Sequence, residues 1–115
     1  MWRQMTAEDL PAVIAIGNAV HVGYPEDSRI FVERFELFPA GCFVLEDGTT
    51  AHGYVIAHPW SLGDAPSLNT LLNDIPATAD CLYVHDLAVV PSARAAGAGT
   101  AAIERIKSVA RSMGV

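Results

Sequence analysis

"LAVVPSARAAGAGTAAIERI", from Leu87 to Ile106, holds the hand-over on which the fold turns. An unbroken apolar run ends at Pro91, then come Arg94, Gly97 and Gly99, and then a helical pattern begins. Traced back to Cys81, the run is the strongest strand signal in the chain. Beyond the glycines, Ala102, Ile103, Ile106, Val109, Ala110 and Met113 recur at helical spacing, with Glu104, Arg105, Lys107 and Arg111 opposite. The spacing predicts a helix over Ala98 to Met113. A helix N-terminus bares about four N–H groups and roughly half a positive charge, so anions bind there. The small residues Ala95, Ala96, Gly97, Ala98 and Gly99 let a large anion approach the backbone. Arg94 adds a cation and Thr100 a hydroxyl. The stretch reads as a diphosphate cradle made chiefly of main chain. On the plainer alternative, the glycines serve only turn and packing, and Arg94 is a solvated charge.

Upstream, Trp2 to Met5 suits a short edge strand, and Thr6 with Asp9 forms a capping box. Leu10, Val13, Ile14 and Gly17 share a face of a helix from Ala7 to Val20, with Pro11 tolerated in its first turns. "HVGYPEDS" is a loop, and Ile30, Phe31, Arg34, Phe35 and Phe38 mark a second helix that Pro39 and Gly41 end. "GCFVLEDGTTAHGYVIAHPW" is a hairpin of Cys42–Glu46 and His52–His58 turning at Asp47-Gly48. Ser61 to Asp80 is a long excursion with one or two helical turns expected at "LNTLLNDI", and long ordered loops tend to be functional. The element order is β-α-α-β-β-β-α.

A chain of 115 residues has room for one domain, residues 1–115. With 51% apolar and 17% charged residues it is core-rich and not a disordered chain. A net charge of −6 argues against nucleic acid or an acidic membrane surface as partner, since both demand a basic face. No apolar run reaches the roughly 20 residues of a membrane span, and "MWRQMTAEDL" lacks a signal-peptide layout. A cytoplasmic protein is expected. Cys42 and Cys81 stand in separate apolar stretches, without the spacing of a zinc site, and read as two buried, reduced thiols. No metal is expected.

Three phosphate-binding patterns compete at the glycines. A P-loop needs a lysine before Thr100, and a dinucleotide fingerprint needs a different glycine order. The remaining pattern, [QR]-x-x-G-x-[GA] after a strand, is met by Arg94, Gly97 and Gly99. It resembles the GCN5-related N-acetyltransferase (GNAT) superfamily. "LYVHDLAVVPSARAAGAG" looks like that family's fourth strand, proline turn and coenzyme A pyrophosphate loop. "RQMTAEDLPAVIAI" is similar to its opening strand and helix, and the element order agrees. The resemblance implies a mixed α/β fold with a mostly antiparallel central sheet.

It further implies that backbone N–H groups from Arg94 to Thr100 hold the pyrophosphate of acetyl-CoA. Main-chain groups of Leu87, Ala88 and Val89 would pair with the pantetheine arm. An amine would then attack the thioester after losing a proton to a base. Strand alternation puts Tyr83, His85, Leu87 and Val89 on one face and Val84 and Asp86 on the other. Some family members carry a catalytic Glu at the position of Tyr83, and aralkylamine acetyltransferases carry histidines at the positions of Tyr83 and His85. Imidazole titrates near neutrality, so His85 is the candidate relay, against a merely pocket-lining role, and Tyr83 its companion. Asp86 is expected to bond a neighbouring element. Tyr24, Glu26 and Phe31 match the segment that shapes the acceptor pocket, and His58 to Trp60 could line it. His21 and His52 are given no role.

Family domains continue past this helix with a fifth strand, a fourth helix and a closing hairpin, so the C-terminal strands are expected to be missing. The chain is then a truncated product or is completed by another chain, as a homo-oligomer or with a different partner. The primary expectation is acetyl transfer to a primary amine, that of a small molecule. The alternative is a non-catalytic acyl-CoA-binding or interaction module of the same fold, and a third reading is an α/β domain without coenzyme.

Overall fold

The computed structural model describes residues 1–23 and 26–115, with only the backbone described at 95 and 96. Four strands and three α-helices alternate as β1 (Trp2–Gln4), α1 (Leu10–Val20), α2 (Ser28–Leu37), β2 (Cys42–Asp47), β3 (Thr50–Trp60), β4 (Cys81–Val89) and α3 (Ala98–Met113). The sheet runs in order β1-β2-β3-β4, antiparallel throughout. This is the β-α-α-β-β-β-α order expected from the sequence.

The helix starts follow from their caps. Thr6 donates its backbone N–H to Asp9 Oδ2 (2.8 Å), and the Asp9 N–H returns to the Thr6 carbonyl (3.0 Å). The residues between, Ala7–Asp9, form a 3-10 turn, so α1 opens at Leu10, later than the sequence pattern suggested. Pro11 is the cause: without an N–H it cannot close an α-helical bond back to Ala7. Asp27 caps α2 by accepting the Arg29 N–H at 2.9 Å. Pro39 ends that helix after Phe38.

The hairpin closes between Asp47 and Thr50, with Gly48 alone taking a positive φ of 65°. β3 runs through Pro59 because β2 starts opposite Ile56. Past that point β3 has a neighbour only in β4, so the missing N–H costs no ladder bond. Residues 61–80 contain no helix, and the turns expected at "LNTLLNDI" do not form. Asn69 and Asn73 adopt left-handed φ of 55° and 69°, which stops any helical run there.

Each face of the sheet carries its own core. Val13, Ile16, Phe31, Val44, Tyr54, Ile56 and Ala88 pack beneath α1 and α2. Trp2, Phe43, Val55, Ala57, Val89, Ala102 and Ile106 pack beneath α3. A fully buried side chain of this size contributes roughly 1.5–3 kcal/mol, so both helical layers are held chiefly by apolar burial. Cys42 is buried and its thiol is pushed up to about 12 by desolvation; Cys81, expected to be buried, is half-exposed, and both are free.

One irregularity decides how the site is built. Asp86 faces Ile56 across the ladder and Val84 faces Ala57, so His85 is an extra residue on β4. Such a bulge shifts the alternation by one. Leu82, Val84, Leu87 and Val89 therefore pack toward α3, while Asp86 and Ala88 turn toward α1 and α2. The strict alternation expected over Tyr83–Val89, with His85 on the face of Leu87 and Val89 and Asp86 opposite, is corrected by this bulge.

Candidate active site

At the end of β4 the chain turns through a 3-10 segment, Pro91–Ala96, and enters α3 through Gly97, whose φ is +71°. No side chain caps this terminus. A methyl group built on Gly99 would meet nothing within 4 Å. Leu87, Ala88, Val89, Arg94, Gly99 and, from α1, Val20 line a cleft of about 380 Å³ beside it. Arg94 donates Nε to the Val89 carbonyl (2.8 Å), which ties the guanidinium to the strand edge.

Not every residue expected in this cradle faces it. Val90 donates to His52 on β3, so by alternation the main-chain groups of Leu87 and Val89 point to the free edge and those of Ala88 point at β3. Ala88 thus offers a ligand no strand-like pairing, and the Val89 carbonyl already accepts Arg94. Ala98 is buried, and its carbonyl accepts the Trp2 indole N–H (3.0 Å), which turns it into the α3 core. Thr100 is exposed just past the cleft, and the side chains of Ala95 and Ala96 lie outside the described residues.

On the α1–α2 face, a pocket of about 210 Å³ opens between Gly17, Phe31 and Leu68. Its polar wall is two carboxylate–imidazole pairs. His85 Nε2 bonds Glu26 Oε1 at 2.8 Å, with both side chains under one-tenth exposed. His21 Nε2 bonds Asp86 Oδ1 at 2.7 Å. The bulge brings His85 and Asp86 into one cavity. Asp86 Oδ2 also accepts the Tyr54 hydroxyl, and burial together with this carboxylate holds that hydroxyl far above its ordinary value. Glu26 Oε2 accepts the Asn69 N–H at 2.9 Å. The long excursion is strapped down further along α2. Glu33 accepts the N–H groups of Leu72 and Asn73, and Arg34 donates to the Thr70 carbonyl at 3.1 Å.

In neutral His85 the Nε2–H donates to Glu26, which leaves Nδ1 as a lone pair without a partner among the described residues. That is the arrangement of a general base held by a carboxylate. Glu26, expected to bind substrate, lines the pocket with its carboxylate bonded to His85. Phe31 is buried at 4% and still forms part of the pocket wall. Tyr24 lies outside the described residues. Tyr83 does not line this pocket: it stands beside Leu62 and Asp64 at another cavity, its ring 5.5 Å from that of His58. His58 to Trp60 do not line the pocket either, and His58 is wholly buried. Among the described residues, no group of three or more His, Cys, Asp or Glu is placed to hold a metal.

A sequence model of the acetyltransferase (GNAT) family matches residues 3–115. The chain belongs to that family. No curated protein matches its sequence significantly. Among solved structures, the GNAT fold recurs in the GphF GNAT-like decarboxylase in complex with isobutyryl-CoA. There the TM-score is 0.83 at 22% identity, over 96% of this chain and 59% of that one. Naa20 of Chaetomium thermophilum, in complex with a bisubstrate analogue, gives a TM-score of 0.73 at 19% identity, over 100% of this chain and 58% of that one. The likeness at these identities is one of fold, and the chain spans about three-fifths of the length of either structure.

Within this GNAT chain, Asp86 bonds neighbouring elements as the sequence suggested, at His21 and Tyr54, whereas sequence reasoning gave His21 no role. His21 caps the end of α1, 65 positions from Asp86, and no local spacing announces their pairing. The only available signal was a polar residue, Asp86, set in the middle of an apolar strand, which demands a partner when buried.

Proposed function

We propose that the chain is an acetyl-CoA-dependent N-acetyltransferase acting on the primary amine of a small molecule. The observation that carries this reading is Nδ1 of His85, without a partner among the described residues and set by Glu26 in a pocket two residues along β4 from Leu87. The residues at the α3 terminus fit the coenzyme. The helix start is uncapped, Gly99 leaves open space where a phosphate would approach, and Arg94 is exposed beside it. Leu87 would offer its edge-facing main-chain groups to the pantetheine arm, and the Gly97–Gly99 backbone its amides to the pyrophosphate.

When bound, acetyl-CoA supplies an acyl carbon activated as a thioester. An alkylamine reaches the pocket mostly as an ammonium ion, so His85 Nδ1 takes a proton from it, and Glu26 steadies the imidazolium that results. The freed amine nitrogen would bond to the acyl carbon as the carbon–sulfur bond breaks, its second proton would pass to the departing thiolate, and His85 would return its own proton to solvent. Among the described residues no helix is long and apolar enough to cross a membrane. We assign the protein to the cytoplasm, where Cys42 and Cys81 would stay reduced. We also propose that another copy of the chain covers the free edge of β4 before Leu87. Light scattering that finds only monomer at every concentration would reject this.

Calorimetric titration with acetyl-CoA tests the cradle. The wild-type chain is expected to bind, and Arg94→Glu to bind at least about tenfold more weakly, a difference of about 1.4 kcal/mol. Equal affinities would remove the coenzyme from this cleft and with it the transferase reading. Binding without coenzyme A release from any amine would leave the non-catalytic acyl-CoA-binding module.

A further inference from the structure

The acceptor pocket carries more information than the need for a base. Its four polar residues come from three places: His21 from the end of α1, Glu26 from the loop before α2, and His85 and Asp86 from the β4 bulge. Each carboxylate is fixed twice. Glu26 is bonded by His85 and by the Asn69 N–H, and Asp86 by His21 and by Tyr54. A carboxylate oxygen has two lone pairs, so each can still accept a bond from a ligand. The remaining lining is neutral. Arg34, the buried guanidinium of α2, is committed to Glu33 and the Thr70 carbonyl and does not reach the pocket wall.

No arginine or lysine among the described lining residues would therefore offset an anionic group on the acceptor. A carboxylate entering here meets two protein carboxylates whose imidazole partners are already engaged. A cation meets the opposite situation. The space is small: a water in the liquid takes about 30 Å³, so 210 Å³ admits a short chain and not a folded peptide. The inner pair is nearly closed off, with His85 at 8% exposure, whereas His21 at 36% stands at the mouth.

We propose that the pocket selects short alkyl diamines, with one amino group delivered to Nδ1 of His85 and the second held at the mouth by Asp86, oriented by His21. The fate of the first amine rests on the transferase reading; recognition of the pair does not. Glu26 and Asp86 then divide the work. Glu26 positions the base, and Asp86 sets which amines enter.

The test is titration of the full chain, without coenzyme, with putrescine, butylamine and ornithine, followed by calorimetry and by the imidazole proton resonances. Putrescine is expected to bind about five- to tenfold more tightly than butylamine, with both His21 and His85 resonances moving. Ornithine, the same diamine with a carboxylate added, is expected to bind no better than butylamine. Asp86→Asn, which keeps an acceptor for Tyr54, should erase the putrescine advantage. His21→Asn at the exposed helix end should reduce it, should the strand variant fold poorly. Equal binding of putrescine and butylamine, tightest binding of ornithine, or an advantage untouched by both variants would overturn the proposal. Failure of acetyl-CoA to bind, with the putrescine preference intact, would instead remove only the transferase reading.

Discussion

His85 reaches the pocket on the α1–α2 face only because it is an extra residue on β4. On a regular strand it would share a face with Leu87 and Val89 and point at the α3 core, away from any acceptor. The bulge turns it beside Asp86, and Glu26 then fixes which nitrogen is free. His85→Ala is expected to cut turnover by about 10²–10⁴-fold, the usual worth of a positioned general base, while leaving acetyl-CoA affinity unchanged. Glu26→Gln keeps an oxygen for the Asn69 N–H but loses the charge facing the imidazolium. It should give a partial loss seated in kcat, since the acceptor touches His85 and not the amide. The two variants are compared by coenzyme A release at saturating amine. A Glu26→Gln enzyme with unchanged kcat and a raised KM would return Glu26 to the role of substrate ligand.

The hand-over from β4 to α3 was legible in the sequence almost to the residue: Cys81–Val89 and Ala98–Met113 both stand where apolar run and helical stripe placed them. The bulge inside β4 was not. It arises from the pairing of β3 with β4, whose partners lie some 30 residues apart, and a strand's own pattern cannot report a register set by its neighbour. The two glycines between these elements do different things, and substitution separates them. Gly97 needs its positive φ, so Gly97→Ala is expected to cost about 1–2 kcal/mol of stability by strain. Gly99 stands in the first turn of α3 with a negative φ and open space around it. Gly99→Val should therefore leave the melting temperature within a degree or two of wild type and still block the cleft. Thermal melts beside acetyl-CoA calorimetry read both. A Gly99→Val chain that binds the coenzyme normally would show that no phosphate approaches there.

Across the whole molecule, the layering of α1 and α2 over one sheet face and α3 over the other follows from alternating apolar positions in β2 and β3. What the pattern could not show is that this core also encloses polar side chains, because burial of His58 and Arg34 depends on what the excursion 61–80 covers. Both are wholly buried, and Arg34 Nε and His58 Nε2 have no partner among the described residues. His58 Nδ1 donates to the Pro59 carbonyl at 3.1 Å, which fixes the tautomer and by itself favours the protonated ring, but burial outweighs it. Desolvation, helped by Arg34, pulls its folded-state pKa down to about 4 from an ordinary 6.5. A lowered imidazole pKa means that the unfolded chain takes the proton first. The fold is then fully stable above about pH 6.5 and loses stability as pH falls toward 4, by about 3 kcal/mol in all. Asp9 enters later: Arg3 holds its carboxyl at about 2, so its contribution fades only as pH drops below 3.8. Denaturant midpoints measured at several pH values between neutrality and 4 should fall steadily for the wild-type chain. His58→Gln, which has no titrating ring, should start from a lower midpoint and stay flat over the same interval. Parallel slopes for the two proteins would mean that another group, and not this imidazole, governs acid unfolding.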